Sequence, residues 1–138
     1  MIQLRCMIID YKYFLFCDDP DKLVTFYVDC LGFHVSTKLQ FPEDYGYALQ
    51  VSPGERNIWL AKHSAVAGKN KDAYRIILNL SVDSVQTYFD KAVKWQDVEV
   101  VAKPFPMSTK NPDDTTGRWV ATIFDPDGNC VQFMGPLK

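Results

Sequence analysis

The chain repeats itself, and the repeat limits the folds open to it more than any other feature. An aromatic and apolar run at residues 11–17 is stopped by Asp18-Asp19-Pro20-Asp21. It reads as a strand leading into a helix, with Asp19 as the cap and Pro20 at the first helical position. Leu23, Phe26, Tyr27, Cys30 and Leu31 then recur at the spacing of one helical face, and Gly32 ends it. Three strands are expected next, at 33–38, 45–51 and 57–62, the last two joined by the turn Ser52-Pro53-Gly54-Glu55. The second half runs through the same order. Residues 74–80 are strand-like, Val85, Tyr88, Phe89 and Ala92 restore the helical spacing, and strands follow at 98–102, 119–124 and 130–134. A slide of 73 residues lays Ser52-Pro53 on Asp125-Pro126 and Trp59 on Gln132. The helices superpose at a shift of roughly 62–65 instead, and a longer loop around residues 105–116 absorbs the difference. The expectation is an α+β chain, one domain over 1–138 built from two βαβββ modules at about 1–68 and 72–138.

Size and charge remove several functions. A chain of 138 residues buries enough surface to form a core without metal or disulfide staples. Its 15 Lys and Arg against 17 Asp and Glu lack the basic excess that phosphate neutralisation needs, so no nucleic-acid partner is expected. No apolar run approaches the ~18 residues of a membrane span. Residues 1–10 carry one positive charge and no small-residue cleavage site, and are not read as a signal peptide. The four cysteines, Cys6, Cys17, Cys30 and Cys130, contain no C-x-x-C pair, which suits free thiols and a cytoplasmic location. His34 and His63 are the only imidazoles, so a metal site would have to lean on carboxylates or amides.

Two segments carry a resemblance. The run from Asp19 through Phe26-Tyr27 to Leu31-Gly32-Phe33 resembles the D-x6-F-Y-x3-L-G-F segment of the vicinal oxygen chelate superfamily, which includes glyoxalase I, bleomycin- and fosfomycin-resistance proteins and extradiol dioxygenases. Phe124-Asp125-Pro126-Asp127-Gly128-Asn129 resembles the closing turn of the same superfamily. Together with the duplicated order, the resemblance covers essentially the whole chain. It implies two modules whose curved mixed sheets form a cup around a ligand, often completed by a second subunit, so a homodimer is expected. It also implies a metal site in some members, with His, Glu or Gln supplied by the first and last strand of each module.

Those ligand positions are poorly filled. The first lies seven residues before the capping Asp19, at Lys12, whose ammonium opposes a cation. The last lies seven residues after Asp125, at Gln132, whose carbonyl can ligate but adds no charge. The repeat carries Gln132 onto Trp59, which has no lone pair to give, and the fourth position falls among Tyr74, Arg75, Ile76 and Ile77. No metal and no other cofactor is expected. Misregister leaves one alternative, since His63 shares strand parity with Trp59; its plainer reading is a solvated strand end.

If these positions face a cup, alternation puts Lys12, Phe14 and Phe16 on one face of the first strand, Trp59, Ala61 and His63 on that of the fourth, and Cys130, Gln132 and Met134 on that of the last. The candidate ligand-binding residues are Lys12, Phe14, Trp59, His63, Trp119 and Gln132, with Phe105 and Met107 as closing residues on the long loop. Lys12 would bind a carboxylate or phosphate, or pair internally with Asp10; a lysine that snorkels outward, with Tyr11 and Tyr13 inside, is the alternative. The reading is a metal-independent binder of a small anionic or aromatic molecule. Whether it is an enzyme stays open: its rivals are a metal-dependent lyase, isomerase or dioxygenase of the glyoxalase type, and a protein whose cup is filled by its own side chains.

Overall fold

Helix caps set the frame of both repeats. The computed structural model describes residues 7–51, 57–107, 113 and 117–138. The order is β1 (Tyr13–Cys17), α1 (Pro20–Thr25), β2 (His34–Gln40), β3 (Tyr45–Gln50), β4 (Ile58–Lys62), β5 (Ile77–Ser81), α2 (Val85–Val93), β6 (Glu99–Pro106), β7 (Trp119–Phe124) and β8 (Cys130–Gly135). Asp19 accepts the Lys22 amide at the start of α1, and Ser84 accepts the Thr87 amide at the start of α2. Each cap satisfies an amide that the first helical turn leaves open.

The strands form two four-stranded mixed sheets in the same order, β1-β4-β3-β2 and β5-β8-β7-β6. In each, the first strand runs parallel to the last and the remaining pairs are antiparallel. The duplicated strand–helix–strand order is therefore present, in an α+β chain. Register settles the repeat offset: Phe14 sits beside Trp59 and Asn79 beside Gln132. Caps and first strands thus differ by 65 residues, last strands by 73.

Three details depart from the sequence expectation. The first helix is α-helical only to Thr25 and continues as a π-helical turn, Phe26–Cys30, in which the Leu31 amide reaches back to Phe26 O at 3.2 Å. Gly32 closes it with a φ of +81°, a conformation costly to any side-chain-bearing residue. The segment expected as strand from residue 74 begins as a 3-10 turn, Ala73–Arg75, and becomes strand at Ile77. β2 carries a bulge between Val35 and Thr37. The turn at 52–55, Cys6 and most of the loop at 105–117 lie outside the described residues.

The helices cover one face of the sheets and share one core. Leu23, Phe26, Tyr27, Cys30 and Leu31 meet Leu49 and Leu60 from the first sheet, and the same cluster takes in Val85, Phe89 and Ala92 with Ala121, Ile123, Val131 and Phe133 from the second. Each such side chain contributes about 1.5–3 kcal/mol when fully removed from water. Across the repeats the Phe26 and Trp95 rings lie 6.1 Å apart, and Lys22 pairs with Asp97 at 3.2 Å.

The two motif segments noted in the sequence meet each other. Tyr27 donates its hydroxyl to Asp125 across 2.6 Å, although 98 positions separate them. Asp125 is 1% exposed and also accepts from the backbone amides of Asp127 and Asn129 and from the Asn129 side chain. Burial pushes its pKa up against those donors, and burial together with the nearby carboxylate pushes Tyr27 well above the usual phenol range. These residues bind one repeat to the other. Among the described residues, no helix is long and apolar enough to cross a membrane.

Candidate functional site

On the face of the first sheet turned away from the helix, strand alternation gathers an aromatic cluster. Leu15 and Leu60 point to the core, so Phe14, Phe16, Trp59 and Ala61 take the other side. The Phe14 ring stacks on Phe16 at 5.3 Å and meets Trp59 edge-on at 5.2 Å. Phe16 in turn lies 4.9 Å from the ring of His63, which stands exposed just past β4 with Nδ1 accepting the Ala65 amide. Lys12 holds its ammonium 5.3 Å from the centre of the Trp59 ring and 3.5 Å from Asp10. It therefore lies on the aromatic side, not snorkelled away from it.

Beside this cluster is a cavity of about 360 Å³ lined by Asp10, Lys12, Ser36, Thr37, Leu39, Ala48, Asn57 and Trp59. That volume lies in the range of small-molecule sites. Ser36 and Thr37, neighbours in sequence, both line it because the β2 bulge breaks strict alternation. Ser36 donates to Ala48 O at 3.1 Å. Ala48 lies beside Trp59 in the register, keeping the floor low. Gly46 is forced: a Cβ there would stand 2.3 Å from Leu60 O.

The matching face of the second sheet has different chemistry. Asn79 donates its amide to Gln132 Oε1 at 3.0 Å, and Gln132 donates to Thr122 at 3.4 Å. Ile77 and Met134 flank this polar chain. Trp119, expected in the lining, belongs elsewhere: it alternates with Ala121 and Ile123 and packs against the core on the helix side. Phe105 pairs with Val120, and both Phe105 and Met107 are exposed. The site therefore joins Lys12, Phe14, Trp59 and His63, leaves Gln132 in a separate network and excludes Trp119. Asp10, Thr37, Leu39 and Asn57 complete the lining; of these only Asp10 stood out in sequence, as a partner for Lys12.

The profile of the glyoxalase/bleomycin resistance protein/dioxygenase superfamily matches residues 8–133. The chain belongs to this superfamily. Its fold is shared with a glyoxalase I variant from Zea mays (19% identity, TM-score 0.71, 90% of this chain and 45% of the maize chain). It is shared too with the trypanothione-dependent glyoxalase I of Leishmania major (20%, 0.67, 90% and 84%). A superfamily domain from Frankia sp. matches at nearly full length (17%, 0.65, 95% and 99%). This chain thus spans less than half of the maize protein. A search of curated sequences found no match.

The resemblance assigns metal-ligand positions that are occupied here by Lys12, Trp59 and Gln132. The cap offset of 65 fixes the fourth at Ile77. These residues do not fit a divalent ion: a cation, an indole, an alkyl chain and an amide whose oxygen already accepts from Asn79. Among the described residues, no group of three or more His, Cys, Asp or Glu is placed to hold one. Among the described residues, the thiols offer no activated nucleophile either. Cys17, Cys30 and Cys130 are free and buried, and burial raises each, Cys17 to about 12.

Proposed function

We propose that this protein binds a small molecule without a metal and holds it on the aromatic face of the first repeat, the two repeats forming one domain. The observation that carries this reading is the Lys12 ammonium over the Trp59 ring at the edge of the 360 Å³ cavity. An indole flanked by Phe14 offers a flat apolar platform, and the charges of Asp10 and Lys12 orient whatever rests on it. No general base, nucleophile or metal ligand set is needed for such capture, and the role is sequestration. A homodimer fits: Phe14 and Ile77 expose 47% and 41% of their surface on the two faces, and β1 and β5 are edge strands. A cytoplasmic location fits the free thiols.

Calorimetric titration separates this reading from a metal-dependent enzyme of the glyoxalase type. Zn²⁺, Ni²⁺, Mn²⁺ and Fe²⁺ should each show no stoichiometric binding tighter than about micromolar; one that does overturns it. A thermal-shift screen of small aromatic compounds should find ligands whose effect disappears in Trp59→Ala. At 100 times its Kd, such a ligand stabilises by about 2.7 kcal/mol.

A further inference from the structure

The cavity holds both members of an ion pair. Asp10 and Lys12 line the same space with Oδ2 and Nζ 3.5 Å apart. Asp10 is oriented by its own backbone, since Oδ1 accepts the Tyr11 amide at 2.8 Å and leaves Oδ2 for the lysine. A plain aromatic carboxylate drawn to Lys12 is brought next to the Asp10 carboxylate. A plain aromatic amine drawn to Asp10 is brought next to the Lys12 ammonium. In both cases attraction to one group is opposed by repulsion from the other at nearly the same range.

We infer that the cavity selects a zwitterionic aromatic molecule, with an ammonium and a carboxylate on adjacent carbons beside a ring, over an aromatic anion or cation of equal size. Its carboxylate replaces Asp10 as the partner of Lys12, and its ammonium replaces Lys12 as the partner of Asp10. The internal pair exchanges into two intermolecular pairs, and no charge is left unmatched. The ring then lies along Trp59 and Leu39, over the low floor that Ala48 provides. Thr37 and Asn57 add a hydroxyl and an amide at the rim. This inference rests on the proposed binding role of the same face and sharpens it, because Lys12 alone suggests a simple anion.

Calorimetry on the full chain with phenylalanine, 3-phenylpropionate, 2-phenylethylamine and neutral 2-phenylethanol tests it. Phenylalanine should bind at least tenfold more tightly than each of the others, about 1.4 kcal/mol. Asp10→Asn should turn the preference to 3-phenylpropionate, and Lys12→Gln to 2-phenylethylamine; both side chains are solvent-accessible, and circular dichroism checks that each variant folds. If wild type binds 3-phenylpropionate, 2-phenylethylamine or 2-phenylethanol as tightly as phenylalanine, the zwitterion is wrong while the aromatic site stands. If none of the four binds, both fall. The wild-type rank order decides even where a variant fails to fold.

Discussion

The two repeats have the same strand order, the same capping device and one continuous core, yet their helix-free faces diverge. Where the first carries Lys12, Phe14 and Trp59, the second carries Ile77, Asn79 and Gln132 at the equivalent positions. One face is a stacked aromatic platform under an ion pair, and the other is a chain of amide and hydroxyl hydrogen bonds. The shared core and the divergent faces thus sit on opposite sides of the same strands. Inward residues are held alike in both repeats because they must fill one core, whereas outward residues are free to differ.

The largest effect should come from the residue that joins the repeats. Asp125→Ala strips the Tyr27 hydroxyl and two backbone amides of their acceptor in a buried place. It should lower unfolding free energy by about 3–5 kcal/mol in urea titration, and a loss below 1 kcal/mol would mean the repeats do not depend on this contact. Making the first face resemble the second, Trp59→Gln should reduce affinity for any ligand of the aromatic face by more than tenfold, about 1.4 kcal/mol. Affinity unchanged in that variant places binding elsewhere. The converse change, Gln132→Trp, removes the acceptor of Asn79, an exposed amide that water can satisfy, and should cost no more than about 1 kcal/mol of stability, with no gain in binding. Asp19→Ala and Ser84→Ala should each cost about 1 kcal/mol, and unequal losses beyond a factor of about two would show the repeats are less alike than their caps suggest.

The smallest effect is a pH dependence centred on Asp127 in the second repeat. Burial, together with Asp125 and Asp18, raises Asp127 from 3.8 to about 6. The folded chain then holds this proton more tightly than the unfolded chain, so the group's contribution to stability is full below pH 3.8 and is lost as pH rises through about 6. Asp127→Asn should therefore be more stable than wild type at pH 7.5, by no more than about 1 kcal/mol for a half-exposed group, and equal to it at pH 4. An advantage at pH 4 that vanishes at pH 7.5 would contradict this assignment. Its counterpart in the first repeat is Gly54, which has no carboxyl to titrate.

Much of the frame was legible because it is local. Asp19 and Pro20 announce a helix start, Gly32 its end, and alternation groups Phe14 with Phe16 and Trp59 with Ala61, each pair within its own strand. β7 defeats the same method. In Trp119-Val120-Ala121-Thr122-Ile123-Phe124 both alternating sets are largely apolar, so period two cannot choose a face; Ala121, paired with Phe133 in the core, fixes the parity that sends Trp119 to the helix side. The β2 bulge, which brings Ser36 and Thr37 into one cavity, leaves no composition signal either.

What the sequence alone determined is thus the duplicated order with its caps and stops, which follow from residue type and spacing. Only the tertiary structure decided which groups meet. Tyr27 finds Asp125 across 98 positions, Asn79 takes up the oxygen of Gln132, and Asp10 turns Lys12 from an anion receptor into half of a neutral pair. The physical reason is that a charge or hydrogen-bonding group acquires its chemistry from its partner. Except for neighbours such as Asp10 and Lys12, partners are chosen by how distant strands and helices pack, and even there packing set the pair beside Trp59.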